Sequence, residues 1–317
     1  MATTTVNKFR WNARNLHKRL KADLPAGRSR LQASVRNIRL AAQDGNQSLS
    51  PLDFDHCARV YAWEGIVGLM EGEESTLEYL YQATYYKVAA HRYMAALYLA
   101  PPKTSMAQTS FNDIALALAC TVALGCWHEA GELAKILCAG LTEIRIFRDD
   151  RDPTYESKHS YFYGTNNSWV APFILQLYSQ ARGIRFPLDH LDANPFASMQ
   201  TYEPLLHLWQ TTNMDAFQPA LLTACDTHLY RSKPPTKGTT PEFATLTDML
   251  YPAEILMLLR LREVAGLTTP TFDHPLLNTA VGRLYPVRDI PHDPDLDKAL
   301  ANCLQWIAVT RPTLPTP

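Results

Sequence analysis

The stretch that decides the fold runs from Ile114 to Leu141 and reads IALALACTVALGCWHEAGELAKILCAGL. Apolar residues recur with the spacing of an α-helix over 107–125 and again over 128–147. Between these two runs, Gly125 stands where a helix commonly ends in the left-handed conformation. The pattern predicts a helical hairpin, and its junction resembles the turn of tetratricopeptide-like helix pairs.

Helical spacing continues on both sides of this hairpin. On the N-terminal side it predicts an amphipathic helix over 6–24, ended by Pro25-Ala26-Gly27, and a second helix over 28–43. Ser50-Pro51 then has the composition of a helix start. The remaining predicted helices are 51–69, 76–99, 169–182, 195–210, 214–231, 242–265 (one or two helices), 273–278 and 294–309.

These segments predict an all-α fold of about twelve helices in stacked antiparallel pairs, tetratricopeptide-like in part. Glycine is scarce, with 13 in 317 residues, and no alternating β pattern of useful length is found. We expect a basic helical arm over 1–46 and a single all-helical domain over 47–317. A long polar loop is expected over 148–168, and long loops are commonly functional or disordered.

The distribution of charge is uneven although the net charge is only −1. Residues 1–50 hold ten Lys/Arg and two acids, so they carry +8, and the remaining residues carry −9. The near-neutral sum argues against an overall basic nucleic-acid binder. The arm could bind phosphates, but its apolar stripe needs a cover, so docking of the basic arm on the acidic body is favoured.

The cysteines and the N-terminus indicate a cytoplasmic protein. The six cysteines form no C-x-x-C pair and lie mostly in apolar segments, as buried thiols do in a reducing compartment. Neither a signal peptide nor a run long enough to cross a membrane is found, although an Arg-rich, acid-poor start also fits a mitochondrial transit peptide.

Sequence motifs of catalysis are missing. The chain has no G-x-S-x-G, G-x-G-x-x-G, P-loop or H-E-x-x-H pattern. We therefore expect neither enzymatic activity nor a cofactor.

The densest group of ionisable residues lies in the predicted loop, where Asp149, Asp150, Asp152, Glu156 and His159 follow one another closely. The spacing is not that of a calcium-binding EF-hand loop, and interleaved arginines would compete for the carboxylates. A solvated loop and an acidic partner-binding loop are both favoured over a metal site.

The stretch Tyr251–Asn278, with Pro252-Ala-Glu-Ile-Leu and Asp273-His-Pro-Leu-Leu-Asn, resembles bacterial polymorphic-toxin immunity proteins. The similarity is to the all-helical immunity 49 group, and the hairpin at 123–137 and the Tyr-rich mid-chain loop fit the same architecture. The resemblance implies an antitoxin that binds a cognate secreted toxin, as found with type VI secretion effectors, and occludes its active site. The resemblance implies no catalytic residue, because such proteins act by binding.

We expect the toxin to be a basic nuclease, specifically a DNase, because an acidic body competes well for a phosphate-binding groove. No direct nucleic-acid or membrane partner is expected. The alternatives are a helical-repeat scaffold for an endogenous partner and, with less support, an enzyme with an unrecognised helical site. Tyrosines flanked by acids make suitable binding hot spots. The candidate toxin-binding residues are Asp149, Asp150, Asp152, Glu156, Tyr161 and Tyr163, and, as a second choice, Glu71, Glu73, Glu74 and Glu78.

Overall fold

The structure of the chain is a computed structural model. It describes residues 11–44, 49–99, 109–142, 144–149, 152–160, 162–163, 168–188, 199, 201–237 and 241–310.

The prediction of an all-α fold is confirmed: helices dominate the described part of the chain, and the strands are few and short. Within that part, none of the helices has the length and apolar character needed to cross a membrane. The helices are α1 Ala13–Asp44, α2 Pro51–Met70, α3 Leu77–Leu99, α4 Phe111–Ala123, α5 Trp127–Thr142, α6 Val170–Arg182, α7 Glu203–Leu208, α8 Met214–Arg231, α9 Leu246–Leu250, α10 Ala253–Val264 and α11 Pro294–Thr310, with 3-10 turns at Glu74–Thr76 and Ala280–Gly282.

The predicted hairpin is formed by α4 and α5, which pack on each other. Gly125 has a φ of +77°, a left-handed conformation that L side chains rarely adopt. The Cys126 N–H donates to the Thr121 carbonyl at 2.8 Å, which satisfies a carbonyl at the end of α4. The turn chemistry read from the sequence is therefore the chemistry that ends the helix.

Helix α1 differs from the prediction of two helices broken at Pro25, because it is continuous through that residue. Its apolar stripe is covered as expected: Leu16, Leu20 and Leu24 are buried. The Trp11 indole also donates to the Met249 carbonyl at 2.8 Å. Docking of the arm's helix on the body is thus confirmed for the described residues, while the division into an arm and a domain stays a prediction.

Two hydrophobic clusters form the core. The larger one includes buried residues of α1 to α10, and the smaller one joins the C-terminal half of α1 to α2, α3 and α11. Helix α10 lies in the larger cluster and is buried on every side from Ala253 to Arg262. The first part of the stretch Tyr251–Asn278 is therefore core, while most of 263–278 is exposed or half-buried.

The expectation of a helix to residue 147 and a loop over 148–168 is wrong in the described residues. Strands β2 (Ile144–Asp149) and β3 (Asp152–Ser160) form an antiparallel hairpin, while β1 (Thr109–Ser110) pairs in parallel with β4 (Phe162–Tyr163). Side chains such as Ile144 and Ile146 are β-branched, which favours a pleated surface over a helix. The short helix expected over 273–278 is also not formed, and turns occupy 275–278.

Candidate functional site

A cleft of about 870 Å³ opens where α1 crosses the α2–α3 pair. Three of the second-choice acidic residues, Glu71, Glu73 and Glu78, line it. The other lining residues are Lys21, Leu24, Pro25, Arg28, Glu64, Val67, Gly68, Ser75, Thr76, Tyr79 and Gln82.

The floor of the cleft depends on close approach of α2 to the start of α3. A Cβ on Gly65 would lie 2.8 Å from the Leu80 side chain, and one on Gly68 would lie 2.3 Å from Thr76. Larger residues at either glycine would separate the two helices. On the other side, a Cβ on Gly27 of α1 would lie 2.9 Å from the ring of Trp63. Three glycines therefore let the helices meet closely enough to shape this surface.

The cations that line the cleft are already neutralised by carboxylates. Arg28 donates to both oxygens of Glu64, with a distance of 2.7 Å from its terminal nitrogen to Oε2, and Lys21 donates to Glu71. The hydrogen bond and the charge of Glu64 raise the pKa of Arg28, and the hydrogen bond from Lys21 lowers the pKa of Glu71. The partners of Arg28 and Glu71 thus favour the charged forms of these two side chains.

Two carboxylates are left over. Glu73 and Glu78 are exposed and have no side-chain partner among the residues that the structure describes. The lining holds four carboxylates and two cations, so its net charge is −2, and that charge is carried by this pair. A cluster of uncompensated acids beside a concave surface attracts cationic groups.

An aromatic wall adjoins these carboxylates. Tyr79 is 38 % exposed and lines the cleft. Its ring lies against that of Tyr61, with centroids 6.1 Å apart and 14° between the planes. The ring centroids of Tyr61 and Tyr86 are in turn 5.4 Å apart, and the Tyr86 hydroxyl donates to the Asp293 Oδ2 at 2.5 Å. The exposed tyrosine is therefore held by a stack that is anchored to the rest of the fold.

Glu74 lies outside the lining of the cleft, in the same turn. It accepts a hydrogen bond from Arg283 at 2.8 Å, which ties the turn to the segment after the Ala280–Gly282 turn. The second-choice set is thus brought together at one surface, with Glu74 in a structural pair and Glu71 in another.

The first-choice residues have a different placement. Asp149 and Asp152 are paired at the tip of the β2–β3 hairpin, and Glu156 pairs in register with Arg148. Tyr163 pairs in β4 with Ser110. Asp150 and Tyr161 lie outside the described residues. The acids expected in a loop therefore belong, where described, to a hairpin. A metal-binding group of three or more His, Cys, Asp or Glu is not found in the part of the chain that the structure describes.

A buried polar network was missed by sequence reasoning. His228 and Glu254 are both fully buried, and the His228 Nδ1 lies 2.8 Å from the Glu254 Oε1. Nearby, Glu242 accepts a hydrogen bond from the Val170 N–H at 2.7 Å and forms an ion pair with Arg231 at 3.1 Å. Burial raises the pKa of Glu242. These residues come from separated segments with no shared spacing, so no motif could have indicated them.

A second such cluster surrounds Lys87 of α3. Its Nζ lies 2.7 Å from Asp55 of α2 and 2.8 Å from Asp113 of α4. Burial opposes the charge of Lys87, but the two carboxylates outweigh it and raise the pKa of Lys87. Burial also opposes the charge of Asp55, but the two cations around it outweigh burial and lower the pKa of that carboxyl. The cluster links three helices.

The cysteine thiols of the described residues are poorly suited to nucleophilic chemistry. Burial raises the pKa of Cys57 to about 12 and that of Cys126 to about 12. Thiols of this kind stay protonated near neutral pH, and the thiolate is the reactive form. The cleft, with its uncompensated carboxylates, is suited to binding a cationic group.

Comparison of the chain with protein-family models, curated proteins and solved structures finds no match.

Proposed function

We propose that this chain is an immunity protein that binds a cognate secreted antibacterial toxin and neutralises it. The acidic cleft between α1, α2 and α3 is the docking surface, and the toxin is a basic nuclease, a DNase of the kind delivered by type VI secretion. The protein acts in the cytoplasm of the producing cell, without a cofactor and without contacting nucleic acid or membrane.

One observation carries the proposal: Glu73 and Glu78 stand unpaired among the described residues, beside exposed Tyr79, in a cleft of about 870 Å³. Carboxylates of this kind meet the basic groove of a nuclease with favourable Coulomb energy and speed the encounter. Tyrosine supplies contact area with little loss of side-chain entropy. The same surface would compete with the phosphates of the toxin's substrate.

The test is protection of bacteria that express the toxin encoded beside this gene. The double variant Glu73→Gln/Glu78→Gln is expected to weaken toxin binding by about ten-fold or more and to reduce protection. The matched control is Glu203→Gln/Asp215→Asn, which removes two exposed carboxylates from α7 and α8, helices that do not line the cleft. The control should protect as the parent does. Equal protection by both double variants would contradict the cleft assignment.

The hairpin tip provides the competing interface. Asp149→Asn/Asp152→Asn is expected to leave most of the protection in place if the cleft is the docking surface. Replacement of 149–163 by a short Gly/Ser linker tests the whole hairpin in the same way. Loss of protection in these variants, with full protection by the cleft variant, would move the interface to the hairpin.

A further inference from the structure

We infer that the acidic cleft is a binding site for an arginine side chain that the partner inserts. This inference rests on the proposed function, because it specifies which group of the partner the docking surface binds. It is carried by three features of the cleft: its leftover charge, its surplus of hydrogen-bond acceptors and its exposed aromatic ring.

The leftover charge selects a cation. Because Glu64 and Glu71 are occupied by Arg28 and Lys21, the net charge of −2 resides on Glu73 and Glu78. A neutral or anionic ligand would leave both carboxylates without compensation on desolvation. A cationic side chain neutralises one of them and is attracted by the other.

The lining offers several acceptors that lack a partner among the described residues. The Oε1 of Gln82, a lining residue, is buried and accepts no hydrogen bond from that part of the chain. The four oxygens of Glu73 and Glu78 also accept only. A ligand that satisfies this set must bring several donors, and the guanidinium group of arginine has five in a planar array.

The same chain already holds arginines with the same combination of groups. The Cζ of Arg231 lies 3.3 Å from the centroid of the Trp169 ring, and this arginine pairs with Glu242. Arg283 lies over Tyr285 at 5.0 Å and pairs with Glu74. Each of these two guanidinium groups thus contacts both a carboxylate and an aromatic ring.

The cleft repeats that combination. Tyr79 presents an exposed ring in the same lining as Glu73 and Glu78, and the stack on Tyr61 keeps the ring in place. A guanidinium plane stacks on such a ring, whereas the compact ammonium of lysine makes a weaker, less directional contact. The site should therefore prefer arginine to lysine.

The probes are two fluorescein-labelled homopeptides of equal length, one of arginine and one of lysine, titrated with the full chain at near-physiological ionic strength. The arginine peptide should bind about five-fold more tightly. Glu73→Gln/Glu78→Gln should abolish most binding of both peptides. Tyr79→Leu should abolish the preference, and Tyr79→Phe, which keeps the ring, should restore it. The variant Glu203→Gln/Asp215→Asn should behave as the parent, and circular dichroism should show all variants folded.

Equal affinity for the two peptides, or loss of affinity in the control to the same extent as in the cleft variant, would overturn the arginine site. These outcomes are separable from failure of the proposed function. A protein that protects against the toxin but does not distinguish arginine from lysine contradicts only the inference. A protein that prefers arginine through Tyr79 but gives no protection contradicts only the function.

Discussion

His91 of α3 is buried beside the charged cluster of Lys87, Asp55 and Asp113. It is 1 % exposed, and neither ring nitrogen has a hydrogen-bond partner in the described residues. Its Nε2 lies 3.5 Å from Asp113, and the Lys87 ammonium occupies the same cluster. Burial, together with the charge of Lys87, lowers the pKa of His91 to about 4. The imidazole is therefore neutral in the folded protein at pH 5 and charged in the unfolded chain.

This shift predicts acid sensitivity. Between pH 6.5 and about 4, the unfolded chain binds a proton at His91 that the folded protein does not bind. The free energy of unfolding therefore falls as the pH falls, by at most about 1.4 kcal/mol per pH unit from this residue. His91→Phe removes the titrating group and loses no hydrogen bond. Urea denaturation at a series of pH values should show the variant gaining stability over the parent as the pH falls.

The matched control is His128→Asn, since His128 is exposed on α5. This variant removes one imidazole from the surface and so controls for the loss of a histidine as such. A pH-independent difference for His91→Phe would mean that the imidazole is solvated.

Sequence reasoning at this scale found the acids of the cleft and missed the buried networks. Glu71, Glu73 and Glu78 could be identified from the sequence because they lie close together along the chain, around Gly72 and at the start of α3. Glu254 and His228 lie 26 positions apart and meet only because α8 packs on α10. Pairing of that kind depends on tertiary packing, which no local pattern records.

Helix α1 shows where an element depends on its neighbours more than on its own propensity. Proline inside a helix removes a backbone donor and commonly breaks or kinks it. Yet α1 continues through Pro25, and the glycine two positions later packs against Trp63 of α2. Contacts on both sides of Pro25, at Leu24 and Gly27, keep the backbone helical.

The hairpin β2–β3 was missed for a related reason. Its residues are largely charged or polar, which fits an exposed loop equally well, and six residue pairs hold it together. Which residues of two strands pair is only weakly specified by the sequence of each strand when polar residues occupy both alternating positions. The helix end at Gly125 and the helix start at Ser50-Pro51, by contrast, were predicted closely because caps are local signals.

Two glycines provide a matched test of helix packing. Gly68→Ala places a methyl group 2.3 Å from Thr76, whose hydroxyl donates to the Glu73 carbonyl at 2.6 Å and so resists displacement. We expect a loss of about 1–3 kcal/mol in the free energy of unfolding. Gly131→Ala in α5 meets no atom within 4 Å and should gain about 0.5–1 kcal/mol from helix propensity.

Both variants can be measured by urea denaturation followed by circular dichroism. A Gly68→Ala variant as stable as the parent would contradict the close α2–α3 contact. A destabilised Gly131→Ala variant would contradict the open surroundings of that residue.

At the scale of the whole molecule, α1 joins the two hydrophobic clusters. Leu16 and Leu20 belong to the larger cluster, while Ile38 and Ala41 belong to the smaller one. Because a single helix contributes to both, the clusters should unfold together rather than as separate units. Unfolding of both clusters together would argue against an energetically separate arm over 1–46.

The variants Leu20→Ala and Ile38→Ala test that coupling. Each removes a side chain that is at most 1 % exposed, so each should cost about 2–5 kcal/mol. Both should lower the midpoint of one shared thermal transition in calorimetry. Two transitions, with Ile38→Ala moving only one of them, would instead support an arm that is energetically separate from the body.

The smaller cluster also has a consequence for synthesis of the chain. It is closed by Leu296, Leu300 and Ile307 of α11, and Asn302 donates to the Ala41 carbonyl at 2.9 Å. A ribosome delivers α1, α2 and α3 long before α11, so the end of α1 lacks this part of its cover until α11 has been made. The surfaces of the cleft are thus available early, but a chain that lacks α11 exposes apolar residues of the kind that chaperones and proteases recognise.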